Sequence, residues 1–275
     1  MELSIIIVNY NVTPLLRNCL HSIYHWVRDI NFEVIVIDNN SPDVSWKVLQ
    51  QEFPLVTFIA NPINEGFSKA NNKAVAEAKG DYLLLLNPDT EFESDKMRKA
   101  LDFAISKDNF GCLGARMHDS NGSFLPESKR SVPNMMNSFE KLFTNSKKNS
   151  AKSYYRNDIS ETDVVEVDVV TGAFLLCERS KYLKIGGLDE AYFMYGEDID
   201  LCYTFLQNGC QNYYYGQMSI LHIKGESTVK DKIYLERFYG AMDIFIKKYY
   251  RASFTEYWIL KIGLHFKHFL ERMKL

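Results

Sequence analysis

Long apolar segments are missing from this sequence of 275 residues. No run approaches the roughly 20 apolar residues that a membrane-spanning helix needs. The chain begins on a strand-like stretch, MELSIIIVNYN, without the basic segment, apolar core and small-residue cleavage site of a secretory signal. These absences predict a cytoplasmic protein that meets a membrane, if at all, as a peripheral protein on its inner face.

Cysteine is scarce, and its arrangement argues against two common kinds of site. The five cysteines are odd in number and far apart, and no two stand at a metal-binding spacing. Reduced thiols in the core of a cytosolic protein are the simplest interpretation. The sequence therefore predicts neither a disulfide framework nor a cysteine-based metal site.

Glycine-rich phosphate loops are also absent. No G-x-G-x-x-G follows the first predicted strand and no G-x-x-x-x-G-K-[ST] occurs anywhere, so neither a dinucleotide fold nor a P-loop is supported. The formal charge of -3 gives no overall attraction to nucleic acid, but it is uneven: residues 247–275 carry +5 and the remainder -8. We expect a basic appendage on an acidic body, and no nucleic-acid partner.

The sequence does contain short apolar strands that alternate with helical patterns. Near-continuous apolar strands separated by helices are typical of a parallel sheet covered on both faces. The predicted strands span 4–10, 33–38, 56–60 and 82–86. One predicted helix begins at Thr13, and a second spans about 67–79. We predict an α/β fold with a doubly wound, mostly parallel sheet, in which ligands bind beyond the carboxyl ends of the strands.

Polar residues stand where each of these strands ends. They are Asn9, Tyr10 and Asn11 at the end of the first, Asp38 to Ser41 at the end of the second, residues 61–72 after the third and Asn87 to Thr90 at the end of the fourth. Any one cluster is explained by turn chemistry, because Asn, Asp, Pro and Gly are common in turns. Four clusters at one edge of a sheet favour a binding site.

Two later segments carry further candidate residues. YGEDIDLCY places Glu197, Asp198 and Asp200 at a predicted helix start, where the helix dipole favours negative charge. An acid-decorated helix terminus with no catalytic role is the alternative. LHIKGEST contains His222, which is either a metal or phosphate ligand or a hydrogen-bonded structural residue.

Seven blocks together resemble the family 2 glycosyltransferases of GT-A fold, and most closely their rhamnosyltransferase branch. In chain order they are SIIIVNYN, VIDNNS, NEGFSKANN, LLLLNPDT, VTGAFLLCER, GGLDEAYFMYGEDIDLCY and LHIKGEST. The match runs from residue 3 to about 228. It implies the fold of a nucleotide-diphospho-sugar transferase and the inverting transfer of a sugar to a hydroxyl.

The resemblance implies how the donor is bound. Asp38 matches the carboxylate that accepts the N3–H of uracil or thymine, a donor that cytosine lacks. The other implied donor-binding residues are Asn9, Tyr10, Gly66, Asn71, Asn72, Asn87 and Asp89. Asn87 stands where many relatives have the first aspartate of an Asp-x-Asp element, which argues against a metal ligand at that position.

A divalent cation, Mg²⁺ or Mn²⁺, is also implied. Asp89 matches the second aspartate of that element, which holds the cation on the donor diphosphate. Such cations often take only one or two protein carboxylates together with phosphate oxygens. His222 is the second candidate ligand, and a neutral imidazole suits Mn²⁺ better than Mg²⁺.

Catalytic roles follow from the same resemblance. Asp198 matches the general base, with Glu197 beside it in the acceptor site and with Asp200, Lys224 and Ser227 as acceptor or supporting residues. Relatives often carry an Arg where this chain has Thr204. If that Arg supports the acidic block, another cation must replace it, and Lys224 or Arg179 are the candidates.

The predicted organisation is a GT-A catalytic domain over 1–230 and a helical, basic amphipathic appendage over 231–275. Within the domain, 1–116 is the nucleotide-binding half and 164–230 the acceptor half. A polar segment over 117–163 is interpreted either as a flexible acceptor-side insertion or as a plain surface excursion.

The appendage has two interpretations. Its apolar residues Trp258, Ile262, Phe266, Phe269 and Met273 recur at helical spacing, opposite Lys261, His265, His268 and Arg272. Such a helix can lie in an anionic membrane interface, which would suit a lipid-linked acceptor. Alternatively it packs on the catalytic domain or on a second subunit in a homodimer.

We therefore predict a metal-dependent inverting glycosyltransferase for surface polysaccharide synthesis. The implied donor is a dTDP- or UDP-sugar, with rhamnose favoured, and the acceptor is a saccharide or lipid-linked saccharide. The alternative is a non-catalytic nucleotide- or glycan-binding relative. A pyrophosphorylase on a related sheet is disfavoured, because its Gly-rich basic loop after the first strand is absent.

Overall fold

The computed structural model describes residues 1–133, 154–223 and 231–274. The strands are β1 (Leu3–Asn9), β2 (Phe32–Asp38), β3 (Val56–Ala60), β4 (Tyr82–Leu86), β5 (Thr90–Phe92), β6 (Phe110–His118), β7 (Val164–Glu166), β8 (Phe174–Glu178) and β9 (Gln211–His222). The helices are α1 (Thr13–Trp26), α2 (Leu49–Glu52), α3 (Phe67–Glu77), α4 (Met97–Ile105), α5 (Arg179–Lys184), α6 (Glu197–Gln207), α7 (Lys232–Tyr249) and α8 (Phe254–Arg272).

These strands form one sheet in the order β3-β2-β1-β4-β8-β6-β9-β5, with β7 paired to β9. The pairings among β1 to β4 are parallel, as predicted. The second half is mixed, because β8 runs antiparallel to both β4 and β6. The expectation of a mostly parallel sheet therefore holds for the first half, where helices separate the strands and allow parallel crossovers.

The core lies on both faces of the sheet, as the apolar strands predict. In β4, Leu84 and Leu86 pack with α1 and α4, whereas Leu83 and Leu85 pack with α3, α5 and α6. All four leucines are at most 1% exposed. A strand buried on both faces reads as a continuous apolar run instead of an alternating pattern, which explains why β4 was recognisable in the sequence.

Parallel pairing brings the polar strand ends together. Asn9 at the end of β1 stands opposite Asp38 at the end of β2, and Asp38 stands opposite Ala60 at the end of β3. The short strand β5 pairs antiparallel with β9, so that Thr90 stands opposite His222. The segment after β4 and the segment ending β9 therefore meet at the same edge.

The last two helices pack against each other. Their shared core includes Leu235, Tyr239, Ile246, Leu260 and Leu264. Charged contacts add to it, since Lys261 of α8 pairs with Asp243 of α7. No helix in the described ranges is both long and apolar enough to span a membrane.

The predicted domain boundaries stay predictions. The middle of the polar insertion, residues 134–153, lies outside the described residues. Its flanks are described: Arg130 pairs with Val169 and Tyr155 in isolated β-bridges. The two ends of the insertion are therefore anchored beside each other.

Candidate functional site

A cavity of about 450 Å³ lies between the strand ends and the C-terminal helices. The strand ends contribute polar residues, α6 contributes Glu197 and Asp198, and α7 and α8 contribute mainly apolar side chains. Of the predicted site residues, it is lined by Tyr10, Gly66, Asn87, Asp89, Glu197 and Asp198. The structure thus brings Asp89, one of the two metal-binding candidates, to the same cavity as the catalytic candidates Glu197 and Asp198.

Asp38 does not line this cavity and lies in a buried network at the end of β2. Its carboxylate accepts hydrogen bonds from Asn9 Nδ2 at 2.7 Å, Ser41 Oγ at 2.6 Å and the Ser41 backbone N–H at 3.0 Å. The residue is only 3% exposed. These bonds fix the carboxylate, and Tyr10 stands beside them with nearly half of its surface exposed.

Gly66 permits a close backbone approach, but to the protein itself. Its φ of +85° is in the region that favours glycine, and an added Cβ would lie 2.5 Å from the carbonyl oxygen of Phe193. The next residue, Phe67, donates its N–H to that same oxygen. Gly66 therefore joins the start of α3 to the loop before α6.

Besides Asn9, which bonds Asp38, two predicted donor-binding amides do not line the cavity. Asn71 is buried and donates to the carbonyl of Phe67, one turn earlier in α3. Asn72 Nδ2 donates to the carbonyl of Leu188 at 2.8 Å, and Tyr182 OH donates to Asn72 Oδ1 at 2.6 Å. Both side chains are used within the fold, so the structure does not bring them together with the other donor-binding candidates.

Asp89 and His222 form a buried pair. His222 Nε2 lies 3.4 Å from Asp89 Oδ1, and both residues are less than 10% exposed. Asp89 Oδ1 and His222 Nδ1 make no hydrogen bond with any residue in the described ranges. Buried polar atoms without partners are uncommon, and they fit a site that receives a ligand.

Asp198 is held in place by three donors. Its Oδ2 accepts from Arg130 Nη2 at 2.6 Å and from the Gly172 N–H at 3.1 Å, while Oδ1 accepts from the Ile199 N–H at 2.8 Å. Arg130 is buried and also donates to the Val170 carbonyl. A carboxylate fixed by an ion pair and backbone donors is oriented for proton transfer.

Glu197 is the neighbouring carboxyl and has a different environment. Burial, together with the nearby charge of Asp198, raises the pKa of Glu197 to about 8. Its buried Oε2 has no hydrogen-bond partner in the part of the chain that the structure describes. The two adjacent acids therefore differ: Glu197 carries a proton near neutral pH, and Asp198 is paired with a cation.

The start of α6 is a sharp turn that presents both acids to the cavity. Gly196, at the N-cap position, has a φ of +82°, and its missing Cβ would stand 3.5 Å from that of Ala241 in α7. The preceding residue, Tyr195, also has a positive φ, of 69°. This sharp turn places α7 directly against the catalytic candidates.

Asp200 turns away from the cavity toward α7. It accepts from Lys248 Nζ at 2.9 Å and from Tyr249 OH at 2.8 Å. Lys248 also bonds Asp189 at 2.6 Å. Lys248 therefore supplies the cation that was expected beside the acidic block because Thr204 stands where relatives often carry Arg. Arg179 donates to the Gly80 carbonyl instead. Lys224 and Ser227 lie outside the described residues.

Sequence reasoning missed Arg130, Lys248 and Arg237. The first two pair with acids that are 68 and 48 residues away, and no local pattern indicates such pairs. Arg237 lines the cavity, and its guanidinium lies 4.3 Å from the ring centre of Phe193. The basic character of the C-terminal appendage was a signal for Lys248 and Arg237 that singled out neither of them, and no sequence pattern indicated Arg130.

Comparison with known proteins agrees with this geometry. The family model "Glycosyl transferase family 2" matches residues 4–177. An N-acetylglucosaminyl-diphospho-decaprenol L-rhamnosyltransferase of Mycobacterium tuberculosis is 28% identical over 83% of this chain and 78% of its own. The rhamnosyltransferase WbbL of Escherichia coli K12 is 28% identical over 79% of this chain and 82% of its own.

Solved structures show the same fold. GalNAc-T7, crystallised with UDP, GalNAc and Mn²⁺, superposes with a TM-score of 0.65 at 18% identity, over 90% of this chain and 51% of that one. This likeness confirms the predicted GT-A type of sheet followed by C-terminal helices. Because the family model covers more than half of the sequence, the chain belongs to glycosyl transferase family 2.

Proposed function

We propose that this glycosyltransferase is an inverting, metal-dependent enzyme that transfers rhamnose from a dTDP-sugar to a hydroxyl of a lipid-linked saccharide. The observation that carries the proposal is one cavity that is lined by both members of the Asp198–Arg130 pair and by Asp89, which is itself paired with His222. The named relatives support the sugar and the acceptor class. A UDP-linked hexose is the next candidate donor.

Asp38 is proposed to recognise the pyrimidine. Asn9 and Ser41 hold its carboxylate, and Oδ2 is engaged only by the Ser41 backbone N–H among the described residues. A carboxylate oxygen can accept more than one hydrogen bond, so Oδ2 can also accept the N3–H of thymine or uracil. Tyr10 provides an exposed ring at the same strand end.

The buried pair fits a divalent cation. One carboxylate and one imidazole, each with an unsatisfied buried atom, form a small donor set that diphosphate oxygens would complete. The imidazole favours Mn²⁺ over Mg²⁺. When bound, such an ion would offset the negative charge that develops on the departing diphosphate.

The acids divide the remaining chemistry. The acceptor oxygen attacks the anomeric carbon while the bond from that carbon to the diphosphate oxygen breaks, and the bonding electrons leave with the diphosphate. Asp198 takes the hydroxyl proton as the new bond forms. Protonated Glu197 donates a hydrogen bond to the acceptor saccharide, and Arg130 keeps Asp198 oriented.

A transfer assay tests the proposal. The protein is incubated with Mn²⁺, N-acetylglucosaminyl-diphospho-polyprenol and either dTDP-rhamnose or a UDP-hexose, and the lipid product is analysed by mass spectrometry. We expect the mass of one added deoxyhexose with dTDP-rhamnose. Donor binding without transfer to any acceptor would instead support the non-catalytic hypothesis.

The outer face of α8 is proposed to rest on the membrane that carries the acceptor. Phe254, Trp258, Ile262, Phe266, Phe269 and Met273 form this outer stripe, and each is at least 48% exposed. The predicted basic side is used differently, since Lys261 and His268 contact acids of α7. Apolar insertion therefore dominates over charge, and binding should respond only weakly to salt.

We expect the double variant Trp258→Ser/Phe266→Ser to lose most of its flotation with liposomes. Leu55→Ser is the matched control, because Leu55 is 79% exposed but lies in the loop before β3. Flotation of the double variant at the wild-type level would contradict the membrane proposal. If the wild-type protein is a dimer in the absence of vesicles and the double variant is a monomer, the stripe would instead be a subunit interface.

A further inference from the structure

The cavity has a polar end and an apolar end. At the polar end lie Arg130, Asp198 and Asp89. At the other end, α7 and α8 line it with Phe238, Met242, Phe245, Ile246, Leu260 and Leu264, which we call the apolar compartment. A sugar nucleotide and a saccharide are polar, so neither accounts for this second end.

Arg237 stands on α7 beside the apolar compartment. It lines the same cavity, with its guanidinium over Phe193 and one nitrogen 3.9 Å from the Met194 sulfur. Within the described residues it forms no ion pair with a carboxylate. A cation with this freedom, next to a deep apolar wall, is complementary to an anionic group attached to a hydrocarbon.

We infer that the apolar compartment binds the first part of the hydrocarbon chain of a lipid-diphosphate acceptor, with Arg237 on its diphosphate. The inference rests on the proposed function for the identity of the acceptor. Helix α8 supports a hydrocarbon occupant, because its inner residues Leu260 and Leu264 line the cavity while its opposite face carries the exposed apolar stripe. A cavity of about 450 Å³ holds only the start of a long chain, and the rest would extend outward.

A chain-length series on the full protein tests this inference. Inorganic diphosphate, geranyl diphosphate and farnesyl diphosphate are titrated below micellar concentrations by isothermal calorimetry. Because each buried methylene adds to affinity, we expect farnesyl diphosphate to bind at least roughly tenfold more tightly than inorganic diphosphate. Equal affinity for the three probes would overturn the inference.

Two variants locate the effect. Met242→Gln places a polar group in the apolar compartment and should remove most of the gain in affinity with chain length. Met273→Gln, on the exposed outer stripe, should leave that gain unchanged. Arg237→Gln should weaken the binding of geranyl and farnesyl diphosphate by a similar factor. If Met242→Gln keeps the wild-type thermal unfolding midpoint and the full gain in affinity with chain length, the hydrocarbon does not lie in the apolar compartment.

The two proposals fail separately. If a sugar is transferred to a water-soluble glycoside of N-acetylglucosamine and affinity does not depend on chain length, the lipid-binding role of the apolar compartment is refuted and the enzyme assignment is retained. If affinity depends on chain length but no donor supports transfer, the enzyme assignment is refuted and lipid binding is retained.

Discussion

Replacing Asp198 by Asn should lower the rate of sugar transfer by roughly 10²- to 10⁴-fold, the usual contribution of a general base. The amide keeps the shape of the side chain but cannot take the proton of the acceptor hydroxyl. Donor affinity should change little, because in the proposed mechanism Asp198 contacts the acceptor hydroxyl and not the donor. The measurement combines steady-state transfer with calorimetric titration of the dTDP donor.

Glu197→Gln is the matched control on the adjacent residue. Since the pKa of Glu197 is raised to about 8, the residue is mostly protonated at neutral pH, and glutamine imitates that neutral form. We therefore expect a much smaller loss of rate. If Asp198→Asn retained transfer but lost donor binding, Asp198 would not be the base. If Glu197→Gln lowered the transfer rate more than Asp198→Asn, the roles of the two acids would be exchanged.

Stability must be measured alongside activity. Asp198→Asn leaves the buried Arg130 without its anionic partner, and an unpaired buried charge is costly. Arg130 still donates to the Val170 carbonyl, which lessens the cost. A variant that unfolds at a lower temperature but is folded at the assay temperature remains informative, because the donor titration reports on the folded fraction.

Asp89→Ala should abolish the gain in donor affinity that Mn²⁺ provides. The wild-type protein should bind the dTDP donor at least roughly tenfold more tightly with Mn²⁺ than with a chelator, because Asp89 would hold an ion that offsets the negative charge of the diphosphate. In the variant the two affinities should be nearly equal. Calorimetric titration with and without Mn²⁺ gives both values.

Asp81→Ala provides the control for that experiment. Asp81 is exposed and precedes the amino end of β4, the opposite end of the strand from Asp89. His222→Ala should reduce the Mn²⁺-dependent gain by a smaller factor than Asp89→Ala, since one carboxylate ligand is retained. A full Mn²⁺ effect in Asp89→Ala would contradict the proposed metal site.

Much of the fold of residues 1–116 could be predicted from the sequence. The bounds of β3 and β4 agree with prediction to the residue, and β1 begins and ends one residue earlier than predicted. Strands β1 and β4 are buried on both faces, so their apolar runs are continuous and end only where the chain reaches the sheet edge. The polar clusters at those ends were therefore placed correctly on one edge.

The supporting contacts could not be predicted in the same way. Arg130 reaches Asp198, and Lys248 reaches Asp200, through pairings that depend on how distant elements pack. The Thr204 departure indicated that a cation was missing from α6 but not which residue replaces it. The structure answers this by placing α7 against α6, so the C-terminal helices belong to the surroundings of the candidate catalytic acids.

Amides were the least predictable site residues. Asn71 and Asn72 occur in a block that resembles a nucleotide-binding motif, yet both satisfy carbonyls within the fold. Asparagine serves either purpose with the same donor and acceptor groups, so residue type alone does not distinguish them. Their roles in donor binding stay predictions that the cavity lining does not favour.

The most direct test of the central claim is the anomeric configuration of the transferred sugar, measured by NMR on the product of the Mn²⁺-dependent transfer reaction. A single displacement with Asp198 as base and the diphosphate leaving from the opposite face inverts the configuration of the donor. We predict a product whose anomeric centre is opposite to that of the nucleotide sugar. A product that retains the donor configuration would contradict the account.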